Sequence, residues 1–232
     1  MPFLERDGDV FILYLGAEGQ TDSENRFHPD WITEIHEKLD EVEAHEGPAA
    51  LVTYATGKFY SNGLDTDWLF GNLDKSHWYL DQVHTVFTRL LTFPMVTVAA
   101  VQGHAFGAGA MLATSQDLRV MRADRGFYSL PEAALNMPFT IGMNALMTTA
   151  LPRQTAVEAM TTSRRYGGPD ALAAGIVNQT VDGDGVLAAA VARAAASTAL
   201  HGPNLAGIKS GIHRPVLEAF AVPTDPSNLS FG

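Results

Sequence analysis

Short apolar segments of strand length alternate with amphipathic helical segments along this chain, and this alternation limits the possible folds more than any other feature. Residues 49–55, 96–101 and 118–121 are apolar runs long enough for one strand each. Apolar residues recur at helical spacing over residues 31–42 and again over residues 80–91. Strands that alternate with helices usually pair as a parallel sheet. The sequence therefore predicts an α/β protein.

The start of the chain predicts two further elements. Strands over residues 3–5 and 10–15 are separated by the turn sequence Asp7-Gly8-Asp9, which is typical of a hairpin. The sequence His28-Pro29-Asp30 then predicts the start of the first helix, with Asp30 as its N-cap.

The end of the chain is different in character, because alanine-rich helical stretches dominate after residue 141. We expect a core over residues 1–180 that contains the functional site, followed by a helical region over residues 181–232. The apolar face of the first helix in this region would need a partner surface, which predicts an oligomer. This face is formed by Val186, Leu187, Val191 and Ala195.

Charge and residue usage argue against several classes of protein. The 232 residues carry a formal net charge of −11, and the first 50 hold 13 acidic but only 3 basic residues. Nucleic-acid binding needs a basic face, so nucleic acid is not expected as a partner. The absence of cysteine excludes thiolate metal sites and cysteine nucleophiles and is compatible with a cytoplasmic location. Early charges and the lack of a run of about eighteen apolar residues predict neither a signal peptide nor a membrane span.

Two glycine-containing loops each follow an apolar strand. The first runs from Lys58 to Asp65 (KFYSNGLD); the second runs from Gln102 to Gly109 (QGHAFGAG) and leads into a helix predicted over residues 105–115. Glycine lets backbone N–H groups approach a ligand closely, and a helix N-terminus adds unpaired donors. Two such loops can present two N–H groups to one oxygen, which is an oxyanion hole. Either loop alone also fits ordinary turn chemistry.

Other catalytic patterns receive less support. Gly103, Gly107 and Gly109 do not have the G-x-G-x-x-G spacing of a dinucleotide-binding turn. Neither H-E-x-x-H nor the G-x-S-x-G elbow of serine hydrolases occurs. His104 is the only histidine in either loop, and it is a candidate base or a group that only hydrogen-bonds the backbone.

Glu132 is the only acidic residue between Asp124 and Glu158, and it lies in an otherwise apolar stretch. A carboxylate in such surroundings is desolvated, which raises its pKa toward the value that a general base needs near neutral pH. Ser129, three residues earlier, also completes a capping box in which Glu132 would only cap a helix. The residues alone leave both interpretations open.

In this order, the two loops and the glutamate resemble the crotonase (enoyl-CoA hydratase/isomerase) superfamily, and residues 171–177 match its Ala-x-x-x-Gly-x-Val pattern. The first loop and residues 121–126 are most similar to plant peroxisomal 3,2-trans-enoyl-CoA isomerases. The resemblance implies an α/β fold of the crotonase type, with a ββα superhelical (spiral) core and a C-terminal helical oligomerisation region. It also implies a homotrimer or a dimer of trimers.

The resemblance further implies roles for individual residues. The N–H groups of Leu64 and Ala108 would hold the thioester oxygen of an acyl-CoA, and Glu132 would be the catalytic glutamate. The implied substrate-binding residues are Lys58, Ser61, Asn62, Gly63, Leu64, Asp65, Gly107 and Ala108. No metal or redox cofactor is implied, because coenzyme A belongs to the substrate. Candidate cations for its phosphates are Lys58, Lys209 and Arg214.

One position departs from the hydratases of this superfamily. They carry a second glutamate two residues after the last glycine of the second loop, where this chain has Met111. Adding water to a double bond uses two such groups, whereas moving a double bond needs a single base. The departure therefore favours isomerisation of a 3-enoyl-CoA to a 2-enoyl-CoA. The alternatives are hydration, thioester hydrolysis, decarboxylation and non-catalytic acyl-CoA binding.

Overall fold

The structure is a computed structural model that describes residues 1–229. Its strands are β1 (Phe3–Asp7), β2 (Val10–Tyr14), β3 (Ala50–Tyr54), β4 (Phe59–Ser61), β5 (Val96–Val101), β6 (His104–Phe106), β7 (Leu118–Arg122), β8 (Tyr128–Ser129) and β9 (Gln179–Val181). Its α-helices are α1 (Pro29–Glu43), α2 (Thr66–Gly71), α3 (Ser76–Leu91), α4 (Ala108–Thr114), α5 (Ile141–Ala150), α6 (Arg153–Thr162), α7 (Gly168–Ala173), α8 (Val186–Ala195) and α9 (Pro203–Phe220).

These strands form a large and a small sheet. The large sheet has the order β1-β2-β3-β5-β7-β9, in which β1 and β2 are the antiparallel hairpin and the other neighbours are parallel. The small sheet has the order β4-β6-β8 and is parallel throughout. The predicted hairpin, the strands and the parallel pairing are confirmed.

The chain forms a spiral that passes repeatedly from the large sheet to the small sheet. Each turn consists of one strand in the large sheet, one strand in the small sheet and then one or more helices: β3-β4-α2-α3, β5-β6-α4 and β7-β8-α5. This is the ββα superhelix that the resemblance to the crotonase superfamily implies. Because strands of successive turns are neighbours in each sheet, the loops after β4, β6 and β8 come to the same edge of the small sheet.

The large sheet is covered on both faces, so its strands are apolar throughout. On one face, side chains such as Leu51, Ala99 and Met121 belong to the main core with α1, α3 and α4. On the other face, side chains such as Val52 and Val98 pack against α8. A strand that alternates between two buried faces reads as a continuous apolar run.

Two local predictions are wrong. The N-cap of α1 is His28, whose Nδ1 accepts a hydrogen bond of 3.2 Å from the Asp30 N–H, because Pro29 already has the first helical position. The helix predicted over residues 105–115 begins only at Ala108, and residues 104–106 are the strand β6. Gly107 has φ +52° and ψ −121°, a non-helical conformation that separates the two elements.

The apolar face predicted to need a partner is covered only in part within the chain. Val186 and Ala190 of α8 are buried against the large sheet, and Leu187 and Val191 pack beside them. Leu187 and Val191 stay half-buried and Ala195 is exposed, so the oligomer stays a prediction, as does the division at residue 180. Among residues 1–229, no helix combines the length and apolarity that crossing a bilayer requires. The cytoplasmic location also stays a prediction.

Candidate active site

A cavity opens where the loops after β4, β6 and β8 meet, with a volume of about 570 Å³ that includes space open to solvent. Its wall is formed by Asn62, Leu64, Thr66, Leu80, Gly107, Ala108, Met111, Pro131, Glu132, Leu135, Met137, Pro138 and Met143. The structure thus brings together Leu64, Ala108 and Glu132, which come from three successive turns of the spiral. Among the described residues that line the cavity, Glu132 is the only ionisable one.

The first two loops touch through their backbones at Gly63. This residue has φ +87°, and a Cβ atom there would lie 2.6 Å from the carbonyl oxygen of Phe106 and 3.1 Å from the nitrogen of Ala108. Only glycine fits this conformation and this close approach. The contact places Leu64, the next residue, beside Ala108 at the first position of α4.

The N–H groups of Leu64 and Ala108 are available to a ligand. In the described part of the chain neither donates a hydrogen bond, whereas the flanking donors are used. The Gly63 N–H bonds Ser61 Oγ at 3.2 Å, and the Asp65 N–H bonds the Tyr79 hydroxyl at 2.9 Å. In the second loop the Gly107 N–H bonds the Ser129 carbonyl at 3.0 Å. Ala108 begins α4, where N–H groups have no partner within the helix.

The carboxyl group of Glu132 lies beside the second loop. A Cβ atom at Gly107 would be 3.1 Å from its Oε1, so glycine at this position gives the carboxyl group room. Glu132 is 9% exposed, and within residues 1–229 its Oε2 has no hydrogen-bond partner. Burial raises the pKa of Glu132 to about 7, although its own backbone N–H acts in the opposite direction.

The capping-box interpretation of Glu132 is wrong. No helix begins at Ser129; residues 132–136 form a turn, and the next helix starts at Ile141. The Ser129 hydroxyl instead donates to the carbonyl oxygen of Ser163 at 3.2 Å. The side chain of Glu132 therefore caps no helix and lines the cavity.

Three other predicted site residues of the first loop do not line the cavity, and two of them stabilise the loop by hydrogen bonds. Ser61 is buried and donates to the Asn25 carbonyl at 2.7 Å. Asp65 caps α2 by accepting from the Trp68 N–H at 3.0 Å. Lys58 is exposed, with its Nζ 5.0 Å from the centre of the Phe59 ring.

Two more predicted candidates lie away from the cavity. Lys209 is 3% exposed and bonds Asp117 Oδ2 at 2.8 Å and the Met95 carbonyl at 3.0 Å. A buried, paired ammonium group is not available to phosphates, so the prediction for Lys209 is wrong. His104 packs against aromatic rings such as that of Phe59, and burial and then the charge of Lys58 lower its pKa. It does not line the cavity.

Sequence reasoning missed the apolar wall of the cavity. Leu80 comes from α3 and Met143 from α5, and no local pattern marks them as neighbours of Glu132. The signal that was present is the apolar stretch after Glu132, of which Leu135 and Met137 line the cavity. In the described part of the chain, no three His, Asp or Glu side chains converge to hold a metal ion.

Comparison with known proteins identifies the family. The family model described as "Enoyl-CoA hydratase/isomerase" matches residues 20–216. The chain is 35% identical over 201 residues to "Enoyl-CoA delta isomerase 2, peroxisomal" of Arabidopsis thaliana, covering 81% of each chain. It is 33% identical over 196 residues to "Enoyl-CoA delta isomerase 3" of the same plant, with the same coverage.

A solved structure shows the same fold. The human mitochondrial delta3-delta2-enoyl-CoA isomerase superposes with a TM-score of 0.84 at 18% identity, covering 97% of this chain and 93% of its own. The fold and the resemblance predicted from the two loops and the glutamate are confirmed. The chain belongs to the enoyl-CoA hydratase/isomerase family.

Proposed function

We propose that the protein is an acyl-CoA isomerase that converts a 3-enoyl-CoA into the 2-enoyl-CoA. The observation that carries this proposal is the pair of unpaired N–H groups at Leu64 and Ala108 beside a single buried carboxyl group, that of Glu132. The names of the two plant relatives, both enoyl-CoA delta isomerases, support the same activity.

The two N–H groups stabilise the intermediate. With the thioester carbonyl oxygen between Leu64 and Ala108, removal of a C2 proton places negative charge on that oxygen. Donors that meet this charge in a water-poor cavity stabilise the enolate more than the neutral thioester. They thereby make the C2 proton acidic enough for a carboxylate to remove.

Glu132 moves the proton. Its carboxylate takes the proton from C2, the electron pair shifts from the C3–C4 double bond toward C4, and the same carboxyl group returns the proton to C4. The double bond then lies between C2 and C3, and the enzyme is unchanged. A group with a pKa of about 7 can both accept and return a proton near neutral pH. The reaction needs neither a metal nor a redox cofactor, because only a proton moves.

Met111 makes hydration unfavourable in this cavity. It is 1% exposed and lines the wall beside Ala108, where its thioether offers no base to activate water. The rest of the wall near Glu132 consists mostly of Leu, Met and Pro side chains. We therefore expect one proton carrier and no second group that could prepare a water molecule for attack on C3.

Coenzyme A enters as part of the substrate, and Lys58 is our proposed contact for its phosphates. Lys58 is exposed and contributes to the lowered pKa of Glu24, which is caused mainly by a hydrogen bond from Asn62. Asn62 in turn lines the cavity. Lys58 itself lies outside the wall of the cavity, and the proposal rests on its being an exposed cation of the first loop.

The test is the variant Glu132→Gln, assayed with 3-hexenoyl-CoA by the absorbance of the conjugated product. General base catalysis contributes roughly 10²- to 10⁴-fold, so kcat should fall by that range or more. Binding of saturated hexanoyl-CoA should change little, because the N–H donors remain. Glu37→Gln, an exposed carboxylate on α1, is the matched control and should keep full activity.

Each other outcome points to a different function. Near-normal turnover of Glu132→Gln would remove the proton-carrier role. Hydration of crotonyl-CoA at a rate comparable to isomerisation would identify a hydratase, and release of free coenzyme A would identify a thioester hydrolase. Tight binding without turnover of any acyl-CoA would identify a binding protein.

A further inference from the structure

Ser163 ends α6 in a conformation that few residues adopt. Its φ is +52° and its ψ is +29°, in the left-handed region, where residues other than glycine are uncommon. Such a conformation at a non-glycine residue persists only where surrounding contacts hold it. The contacts of Ser163 therefore indicate what the conformation serves.

Ser163 touches the chain on both sides of Glu132. Its Oγ accepts a hydrogen bond of 3.1 Å from the N–H of Ala134, two residues after Glu132. Its carbonyl oxygen accepts a hydrogen bond of 3.2 Å from the hydroxyl of Ser129, three residues before Glu132. One residue thus fastens both ends of the turn that carries the carboxyl group.

The same contacts reach the second oxyanion loop. The carbonyl oxygen of Ser129 accepts the Gly107 N–H at 3.0 Å, and Gly107 directly precedes Ala108. Three hydrogen bonds therefore connect Ala134, Ser163, Ser129 and Gly107 in one path. The path begins beside the base and ends beside the N–H donor that the substrate oxygen would meet.

The left-handed conformation explains how Ser163 makes both contacts. In a continued helix its carbonyl group would point along the axis of α6, as those of Thr161 and Thr162 do. The reversal at Ser163 turns its carbonyl group and its hydroxyl group toward the segment of residues 129–134, which contains Glu132. A residue with a short polar side chain is suited to this place, because it tolerates the backbone and supplies the acceptor.

We propose, resting on the function proposed above, that Ser163 is a positioning residue that fixes the Glu132 carboxyl group relative to the Ala108 N–H. Ser163 itself does not line the cavity. Its loss releases the turn, so that Glu132 gains access to water and is no longer held at one distance from the substrate oxygen.

The experiment compares four variants of the full chain. Ser163→Gly removes the hydroxyl but fits the left-handed backbone, and Ser163→Ala removes the hydroxyl and keeps the backbone strain. Ser163→Asn tolerates the backbone and keeps a side-chain acceptor. Thr161→Ala is the matched control: its exposed hydroxyl bonds the Val157 carbonyl on the same helix and is remote from the turn.

The expected results separate positioning from stability. In Ser163→Gly, kcat should fall by about ten- to a hundred-fold, as small misplacements of catalytic groups do, with KM changed much less. The acidic limb of the kcat/KM profile should move below pH 7, because a solvated Glu132 has a lower pKa. The Ala134 amide should exchange its hydrogen faster. Ser163→Asn should recover most of kcat, and Thr161→Ala should match the wild type.

The proposal is overturned if Ser163→Gly keeps the wild-type kcat, pH profile and Ala134 exchange. It is also overturned if Ser163→Gly and Ser163→Ala lose activity only in proportion to the loss of folded protein. Glu132→Gln separates this failure from failure of the proposed function. If Glu132→Gln abolishes isomerisation while Ser163→Gly is normal, only the positioning role is wrong; if Glu132→Gln is active, the proposed function itself is wrong.

Discussion

At the scale of single residues, the burial of the Glu132 carboxyl group affects stability as well as chemistry. Its pKa is about 7 in the folded chain against an ordinary value of 4.5, so between these values the folded state binds more protons than the unfolded state. Stability then falls as the pH rises from about 4.5 to about 7. A shift of this size corresponds to a loss on the order of 3 kcal/mol above pH 7.

Glu132→Gln removes this penalty, because glutamine is neutral at every pH. We expect the variant to melt at a higher temperature than the wild type at pH 8 and at nearly the same temperature at pH 4.5. Thermal unfolding of both proteins across this range measures the effect, with Glu37→Gln as the exposed control. If the melting temperatures of Glu132→Gln and the wild type differ by the same amount at every pH, the carboxylate of Glu132 is not buried as described.

The burial of Glu132 could be predicted from the local sequence, whereas the burial of Lys209 could not. An isolated acid in an apolar stretch must be desolvated if the stretch is buried, so local sequence carries the signal. Lys209 is buried through contacts with Asp117 and Met95, which are far away in the chain. No local pattern distinguishes such a lysine from a surface one.

At the scale of elements, the contact between the two glycine-containing loops depends on Gly63. Gly63→Ala would put a side chain at φ +87° and 2.6 Å from the Phe106 carbonyl oxygen, so the loops must separate. We expect a loss of about 1–3 kcal/mol in stability from the backbone alone. We also expect kcat to fall by about 10²-fold or more, as when one oxyanion donor is lost.

The matched control is Gly71→Ala at the end of α2. Gly71 has no atom within 4 Å of an added Cβ and no positive φ, so its substitution should leave stability and kcat nearly unchanged. Denaturant unfolding and the isomerase assay on both variants provide the measurement. Equal effects at Gly63 and Gly71 would show that the loops do not need their close approach.

The types of helices and strands could be predicted where the apolar pattern was long. The predicted bounds were wrong where a single residue interrupts the element. The strand β5 and the helix α3 follow their apolar patterns. The mostly small and apolar residues 105–115 fit strand and helix equally well, and the break at Gly107 depends on its φ and ψ. The site could be predicted as two loops and a glutamate, but its wall could not, because α3 and α5 reach it only through the tertiary fold.

At the scale of the whole molecule, a buried ion pair attaches α9 to the large sheet. Asp117 Oδ2 accepts from Lys209 Nζ at 2.8 Å and from the N–H and hydroxyl of Thr97 at 2.8 and 3.0 Å. Burial lowers the pKa of Lys209, and the charge of Asp117 opposes this. The pair thus joins the last long helix to the starts of β5 and β7.

Lys209→Met should destabilise the fold by about 3 kcal/mol, because it leaves the Asp117 carboxylate partly buried without its cation. Arg214→Met, on an exposed part of α9, should have little effect. The double variant with Asp117→Asn should recover part of the loss, since no unpaired charge remains. Equal stability of Lys209→Met and wild type in urea would mean that the pair does not hold α9.

The three parts of the site come from successive turns of the spiral, in chain order: Leu64 after β4, Ala108 after β6 and Glu132 after β8. A nascent chain that has folded only its first two turns would hold both N–H donors but no base. Under the proposed function, such an intermediate would bind a thioester without moving its double bond. On the same proposal, reactivity is the last property that the growing polypeptide acquires, and a chain arrested during synthesis before residue 132 would be inactive.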